Sequence, residues 1–273
     1  MLKRLQDIFS TTLSLSEQDT IAHKKANNKR FDSTIFIVCI TCALCLVFIN
    51  YLNSVDKFIG FLSSIGLNNL SKTLSELYNN SNNQGLFRLE YWASMLFVFY
   101  FILPLLVTVF ILKEKPFNFG LSPKGALKDY KIYLSLIAVM LPLVVAVSYT
   151  KSFQNKYPFY DPQTGENLFP DFVIWECFYF LQFIGLEFFF RGFMLHGIKK
   201  QFGYYSVLVM MIPYCMIHFG KPMAETIGAI VAGIVLGALS LKSRSIWLGV
   251  AVHYSVAITM DICALYQKGF FGK

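Results

Sequence analysis

The chain is organised around Leu186-Glu187-Phe188-Phe189-Phe190-Arg191-Gly192. A carboxylate and a guanidinium stand four residues apart in it, inside a largely aromatic and aliphatic run from Phe172 to Leu195. On a helix, the i, i+4 spacing stacks Glu187 and Arg191 on one face, where they pair. Ionisable groups in an apolar segment of membrane length are costly. They face the interior of a helix bundle and are candidate functional residues by default. The plainer reading is a structural ion pair that fixes helix register. Two histidines in later apolar segments favour a site.

The composition agrees with a membrane setting. Of 273 residues, 55% are hydrophobic and only 15% charged, far from the balance of a soluble domain. Reading for runs of roughly 17–25 apolar residues gives seven, at about 35–52, 91–112, 130–149, 172–195, 204–219, 225–241 and 246–266. The fifth and sixth are short, and Gly220-Lys221-Pro222 breaks tightly between them, so that pair can be broken or re-entrant. The expected fold class is all-α, a polytopic transmembrane helical bundle of seven spans. An eighth span would have to lie in the region 57–78. Its Ser, Asn and Lys residues instead suit an amphipathic surface helix.

Three parts follow: a cytoplasmic N-terminal segment over 1–33, the first span with its surface region over 34–90, and one bundle over 91–273. Leu2, Leu5, Ile8, Phe9 and Leu13 form an apolar stripe in the first part, suited to lying on a membrane surface. No small-x-small cleavage site follows the first apolar run, so the first thirty residues do not read as a cleaved leader. Lys24, Lys25, Lys29 and Arg30 precede the first span and mark that end as cytoplasmic. With seven spans, fourteen Lys and Arg fall inside and eight outside, the sign expected for N-in, C-out in a multi-pass protein of the cell membrane.

The net charge of +8 is largely accounted for by that loop bias, and it favours anionic membrane lipids as partners. No basic patch interleaved with aromatics is present, so no nucleic-acid partner is expected. Cys39, Cys42 and Cys45 repeat every three residues in the first span, and Cys177, Cys215 and Cys263 are scattered. In an apolar helix these are small polarisable side chains rather than a disulfide or metal framework.

The histidines are His218, closing the fifth apolar run, and His253, near the start of the seventh. Glu225 opens the sixth run with no basic partner assigned to it from the sequence; its plainer reading is a first-turn acid that complements the helix dipole. Ala229, Ala232, Gly233 and Gly237 give the sixth helix a nearly bare face, which suits close packing against the fourth and seventh. Glu176 returns to nearly the face of Glu187, and Asp261 lies two turns beyond His253. With straight spans Glu187 and His253 fall toward the cytoplasmic side, and His218, Glu225 and Asp261 toward the outer side. Tilted or broken helices are needed to join them.

The order Glu-x-x-x-Arg-Gly, aromatic-x-x-x-His, Gly-rich helix, His resembles the family of CAAX proteases and bacteriocin-processing enzymes, which are intramembrane glutamic-type endopeptidases. The resemblance covers about Trp175 to Tyr266. It implies hydrolysis of a peptide bond in a membrane-associated or lipidated protein. Glu and His are also zinc ligands, but no His-Glu-x-x-His pattern is present, so no metal or other cofactor is expected. Position by position, Glu187 and Arg191 match the first motif. Leu186 stands where the two-glutamate members carry the general base. Tyr214 stands where Phe is usual, and His218 matches the histidine that helps hold the attacking water. His253 matches the histidine assigned to the oxyanion, and Ala257 replaces the Asn that usually follows. The single-glutamate type, with Glu-Phe-Phe-Phe-Arg-Gly and His-x-Gly-Lys-Pro-x-x-Glu, is the nearer likeness, and there the base is Glu187 or Glu225.

The candidate catalytic residues are therefore Glu187, Arg191, His218, Glu225 and His253. One alternative is a catalytically inert relative that acts as a membrane scaffold or immunity factor. Another is a transporter with a proton relay, against which no inverted repeat is visible.

Overall fold

The computed structural model describes residues 32–127, 129–162 and 168–271, with scattered positions between 10 and 25. The apolar stripe from Leu2 to Leu13 lies outside the described residues. Among those described the protein is all-helical, and the only strand-like feature is an isolated bridge between Leu121 and Ser245.

Among the described residues the helices of ten residues or more are α1 Ser33–Leu52, α2 Val55–Ser64, α3 Asn68–Asn79, α4 Gln84–Ile111, α5 Tyr130–Ser148, α6 Asp171–Phe202, α7 Tyr205–Met216, α8 Met223–Ser243 and α9 Trp247–Gln267. Six of them, α1, α4, α5, α6, α8 and α9, are long and apolar enough to cross a membrane. The expected count was seven. The difference is α7, whose 12 residues rise about 18 Å at ~1.5 Å per residue, short of a hydrocarbon core of about 30 Å. The region 57–78 forms two amphipathic helices, α2 and α3, rather than an eighth span. Ser54 caps α2 through its side chain, and Ser71 Oγ of α3 donates to the Ile59 carbonyl of α2 at 3.1 Å.

The chain divides into two compact units. The first comprises Met1–Ala43, Leu103–Val139 and Glu187–His253. Here α7 and α8 run antiparallel: Val207 packs beside Gly237, Met211 beside Gly233, and Cys215 Sγ lies 3.7 Å from the Thr226 carbonyl. A Cβ at Gly233 would come within 2.9 Å of Met211 Cγ, and one at Gly237 within 2.9 Å of Met210 Cε. The bare face of α8 thus receives α7, the fifth apolar run, and not only the fourth and seventh as the small residues suggested. Close approach of this kind replaces the hydrophobic drive that lipid does not supply.

In the same unit α6 widens into a π-helical stretch over Phe188–Met194, directly after Glu187. Such wider turns leave carbonyls without their usual i+4 donors. Ser240 Oγ of α8 donates to the Arg191 carbonyl at 3.0 Å, and His196 Nε2 sits 3.3 Å from that hydroxyl. Gly192 is required by contact, since a Cβ there would meet the Phe119 carbonyl at 2.6 Å. The wide turn is therefore held from outside the helix on two sides.

The second unit comprises Leu44–Ile102, Met140–Leu186 and Tyr254–Lys273. Its core is aromatic: Trp175 stacks on Tyr179 at 4.6 Å between centroids, and Trp92, Phe159 and Phe183 close round them. Two buried carboxylates are engaged beside it, Glu176 through Oε2 alone, its Oε1 having no donor among the described residues. Asp261 accepts from Trp175 Nε1 at 2.9 Å, and Glu176 accepts from the Tyr254 hydroxyl at 3.1 Å. Aromatic N–H and O–H groups in an apolar interior need such acceptors.

Candidate active site

Four side chains of the first unit meet around Glu187. Glu187 is 1% exposed and Arg191 fully buried. Glu187 Oε1 lies 2.8 Å from His253 Nδ1 and 3.1 Å from Arg191 Nη1. The arginine contact is an ion pair out of line for a hydrogen bond, and Nε, Nη1 and Nη2 find no acceptor among the described residues. The guanidinium instead lies over the Tyr214 ring, 3.7 Å from its centroid, a cation–π contact strengthened by burial. The Tyr214 hydroxyl completes the group, 3.0 Å from His253 Nε2.

The second carboxylate oxygen of Glu187 is different. Oε2 is buried and receives no hydrogen bond from the described residues. It presses against the backbone of α9, where a Cβ at Gly249 would come within 2.5 Å of it. Gly249 is therefore the residue that makes room for the carboxylate. Nothing in the sequence marked it, because the requirement comes from contact between helices and not from a turn.

His218 is buried in the turn between α7 and α8, one helical turn beyond Tyr214. Its Nδ1 donates to the Tyr214 carbonyl at 2.9 Å, and its own carbonyl accepts from Thr226 Oγ1 at 2.9 Å. A carbonyl only accepts, so Nδ1 carries the hydrogen and Nε2 keeps its lone pair. The His218 and Tyr214 rings meet edge-on at 4.9 Å.

Glu225 is placed otherwise. Its Oε1 pairs with Lys221 Nζ at 2.6 Å, one turn back, with both side chains about a quarter exposed (23% and 25%). The sequence assigned it no basic partner, whereas the Gly-Lys-Pro turn that leads into α8 supplies one. The structure thus brings Glu187, Arg191 and His253 together, attaches His218 through Tyr214, and gives Glu225 to Lys221. Glu176 and Asp261 belong to the second unit and its own hydrogen bonds. Sequence reasoning quoted Tyr214 only as a stand-in for Phe and missed its hydroxyl. A phenol deep in an apolar helix is itself the signal, since it demands a partner.

Two further departures are apolar inside. Leu186 is buried (5% exposed), and Ala257 packs into the aromatic cluster of the second unit. Among the described residues no three His, Cys, Asp or Glu side chains gather as a set of metal ligands.

Residues 168–259 match the family model of the type II CAAX prenyl endopeptidases, Rce1-like. This segment is CAAX-protease-like. It runs from the start of α6 into α9 and contains Glu187, Arg191, Tyr214, His218, Glu225, Gly249 and His253. No curated protein and no solved structure matches the chain. The likeness read from the motifs and the extent of the CAAX-protease-like segment coincide closely.

Proposed function

We propose that the protein is an intramembrane endopeptidase that hydrolyses a peptide bond of a membrane-associated or lipidated protein, with Glu187 as the base. The observation that carries this is the asymmetry of the Glu187 carboxylate: Oε1 is held by His253 and Arg191, while Oε2 is buried without a donor. Hydrolysis needs an activated water, a group to orient it and donors for the developing oxyanion. Oε2 takes the proton of the water. His218 Nε2, left as an acceptor by its bond to the Tyr214 carbonyl, orients it. Arg191 supplies positive charge near the oxyanion, and His253 holds the carboxylate through Nδ1. Glu225, engaged with Lys221, serves the turn rather than the reaction.

Seven passes, with the N-terminus cytoplasmic and the C-terminus outside, complete the proposal. The supporting observation is that α7 and its following turn lie antiparallel along α8, which is itself long enough to cross. The loop charges agree in sign. Anionic lipids of the cell membrane are the surrounding partners.

The second reading, an inert membrane scaffold or immunity factor, draws on one observation. Leu186, at the position of the base in two-glutamate enzymes, is a buried apolar side chain. Reconstitution in nanodiscs with membrane-anchored peptides, prenylated and unprenylated, in ¹⁸O-labelled water separates the readings. An endopeptidase places one ¹⁸O in the new carboxyl terminus, and an inert relative leaves every peptide intact.

A further inference from the structure

We propose that Tyr214 is a positioning residue: its hydroxyl, 3.0 Å from His253 Nε2, pins the imidazole in the orientation and tautomer that grip Glu187 through Nδ1. The inference rests on the endopeptidase reading above, and it assigns work to a side chain that the motif comparison treats as a plain aromatic.

Glu187, beside Arg191, is a carboxylate and accepts only, so His253 Nδ1 carries the hydrogen between them. The proposed tautomer keeps the lone pair on Nε2, where the Tyr214 O–H donates to it. Both nitrogens are thereby fixed, and the ring cannot swing without losing a bond. The tyrosine is well placed to hold firm. It is buried (1% exposed), its ring lies against Arg191 at 3.7 Å on one side, and its Cδ1 is 3.2 Å from where a Cβ at Gly233 would stand.

The consequence concerns Glu187. Oε1 is oriented by His253 Nδ1–H, and that orientation directs the bare Oε2. Without the phenol, the imidazole loses its bond at Nε2, and its grip on the carboxylate through Nδ1 is less firmly oriented. Groups that hold a reacting residue through a second hydrogen bond are worth about 10–100-fold in function when removed, and misplacement near 1 Å costs about as much.

Tyr214→Phe is the test, because it deletes the hydroxyl and leaves the ring on Arg191. Two readouts are taken on full-length protein with ¹⁵N-labelled histidine, in which four histidines make assignment tractable. In the wild type, His253 is expected to show a protonated Nδ1 and an unprotonated, hydrogen-bonded Nε2. In Tyr214→Phe the Nε2 signal moves toward that of a free lone pair. The His218 signals stay in place, because their partner is the Tyr214 backbone. In the cleavage assay kcat falls ~10–100-fold with KM nearly unchanged. Identical His253 signals in the two proteins, or an unchanged kcat, overturn the proposal. Absence of cleavage by the wild type would sink the endopeptidase reading alone, since the nitrogen signals still decide whether Tyr214 holds His253. Should Tyr214→Phe not fold, a protonated Nε2 in the wild-type spectrum is sufficient to overturn it.

Discussion

Glu187 Oε1 accepts from His253 Nδ1 at 2.8 Å, across 66 positions of sequence and between the helices α6 and α9. That bond occupies one face of the carboxylate and leaves the other, Oε2, pressed against the glycine at position 249.

Gly249→Ala drives a methyl into Glu187 Oε2, against an approach of 2.5 Å. Overpacking of a tight interior typically costs ~1–3 kcal/mol, and the carboxylate must turn away from its site. Cleavage is expected to fall at least as far as in Tyr214→Phe. Gly228→Ala, on α8 with nothing within 4 Å of its Cβ, is the matched control. It should keep full activity and gain up to ~1 kcal/mol from helix propensity. Equal losses in the two variants would show that Gly249 has no special relation to the carboxylate.

Glu225→Gln breaks an ion pair whose partners are each about a quarter exposed (23% and 25%). Pairs of that kind contribute at most ~1 kcal/mol. Thermal stability should change little, and cleavage should stay within ~3-fold of the wild type, well short of the ~100-fold or greater loss of a general base. A loss of the latter size would move the base from Glu187 to Glu225.

Cysteines introduced near Asn80 and near Gln201 test the seven-pass topology. A membrane-impermeant thiol reagent should reach the two from opposite sides of a sealed vesicle. Labelling of both from one side would contradict the three crossings, α4, α5 and α6, that lie between them. A third cysteine near Gly269 should label from the Asn80 side, and labelling from the Gln201 side would remove α7 as a crossing segment.

Much of this was legible beforehand because lipid punishes polar atoms so heavily. Glu187, Arg191, His218 and His253 could be picked out of apolar runs by cost alone, and their order carried the family likeness that the model match over 168–259 bears out. The crossing count was harder. Hydropathy reports how apolar a segment is, and residues 204–219 are apolar enough; that their helix stops at Met216 follows from the turn that seats His218. The route from His218 to the Glu187 group runs through Tyr214, whose carbonyl bonds His218 and whose phenol bonds His253, and spacing does not show it. Gly249 and the Lys221–Glu225 pair were invisible for the same reason, since each depends on where two segments meet in space.

The central claim is that Glu187 is the base, and its most direct test is the Glu187→Gln variant in the ¹⁸O cleavage assay. Glutamine keeps an oxygen toward His253 and removes the ionisable group. The change also leaves Arg191 buried without its counter-charge, which costs ~3–5 kcal/mol. The measurement therefore includes Glu187→Gln with Arg191→Met, which removes both charges and restores stability. The account predicts folded protein and a loss of ¹⁸O incorporation of at least ~100-fold in the double variant as in the single one. Wild-type incorporation in a folded Glu187→Gln protein would contradict it.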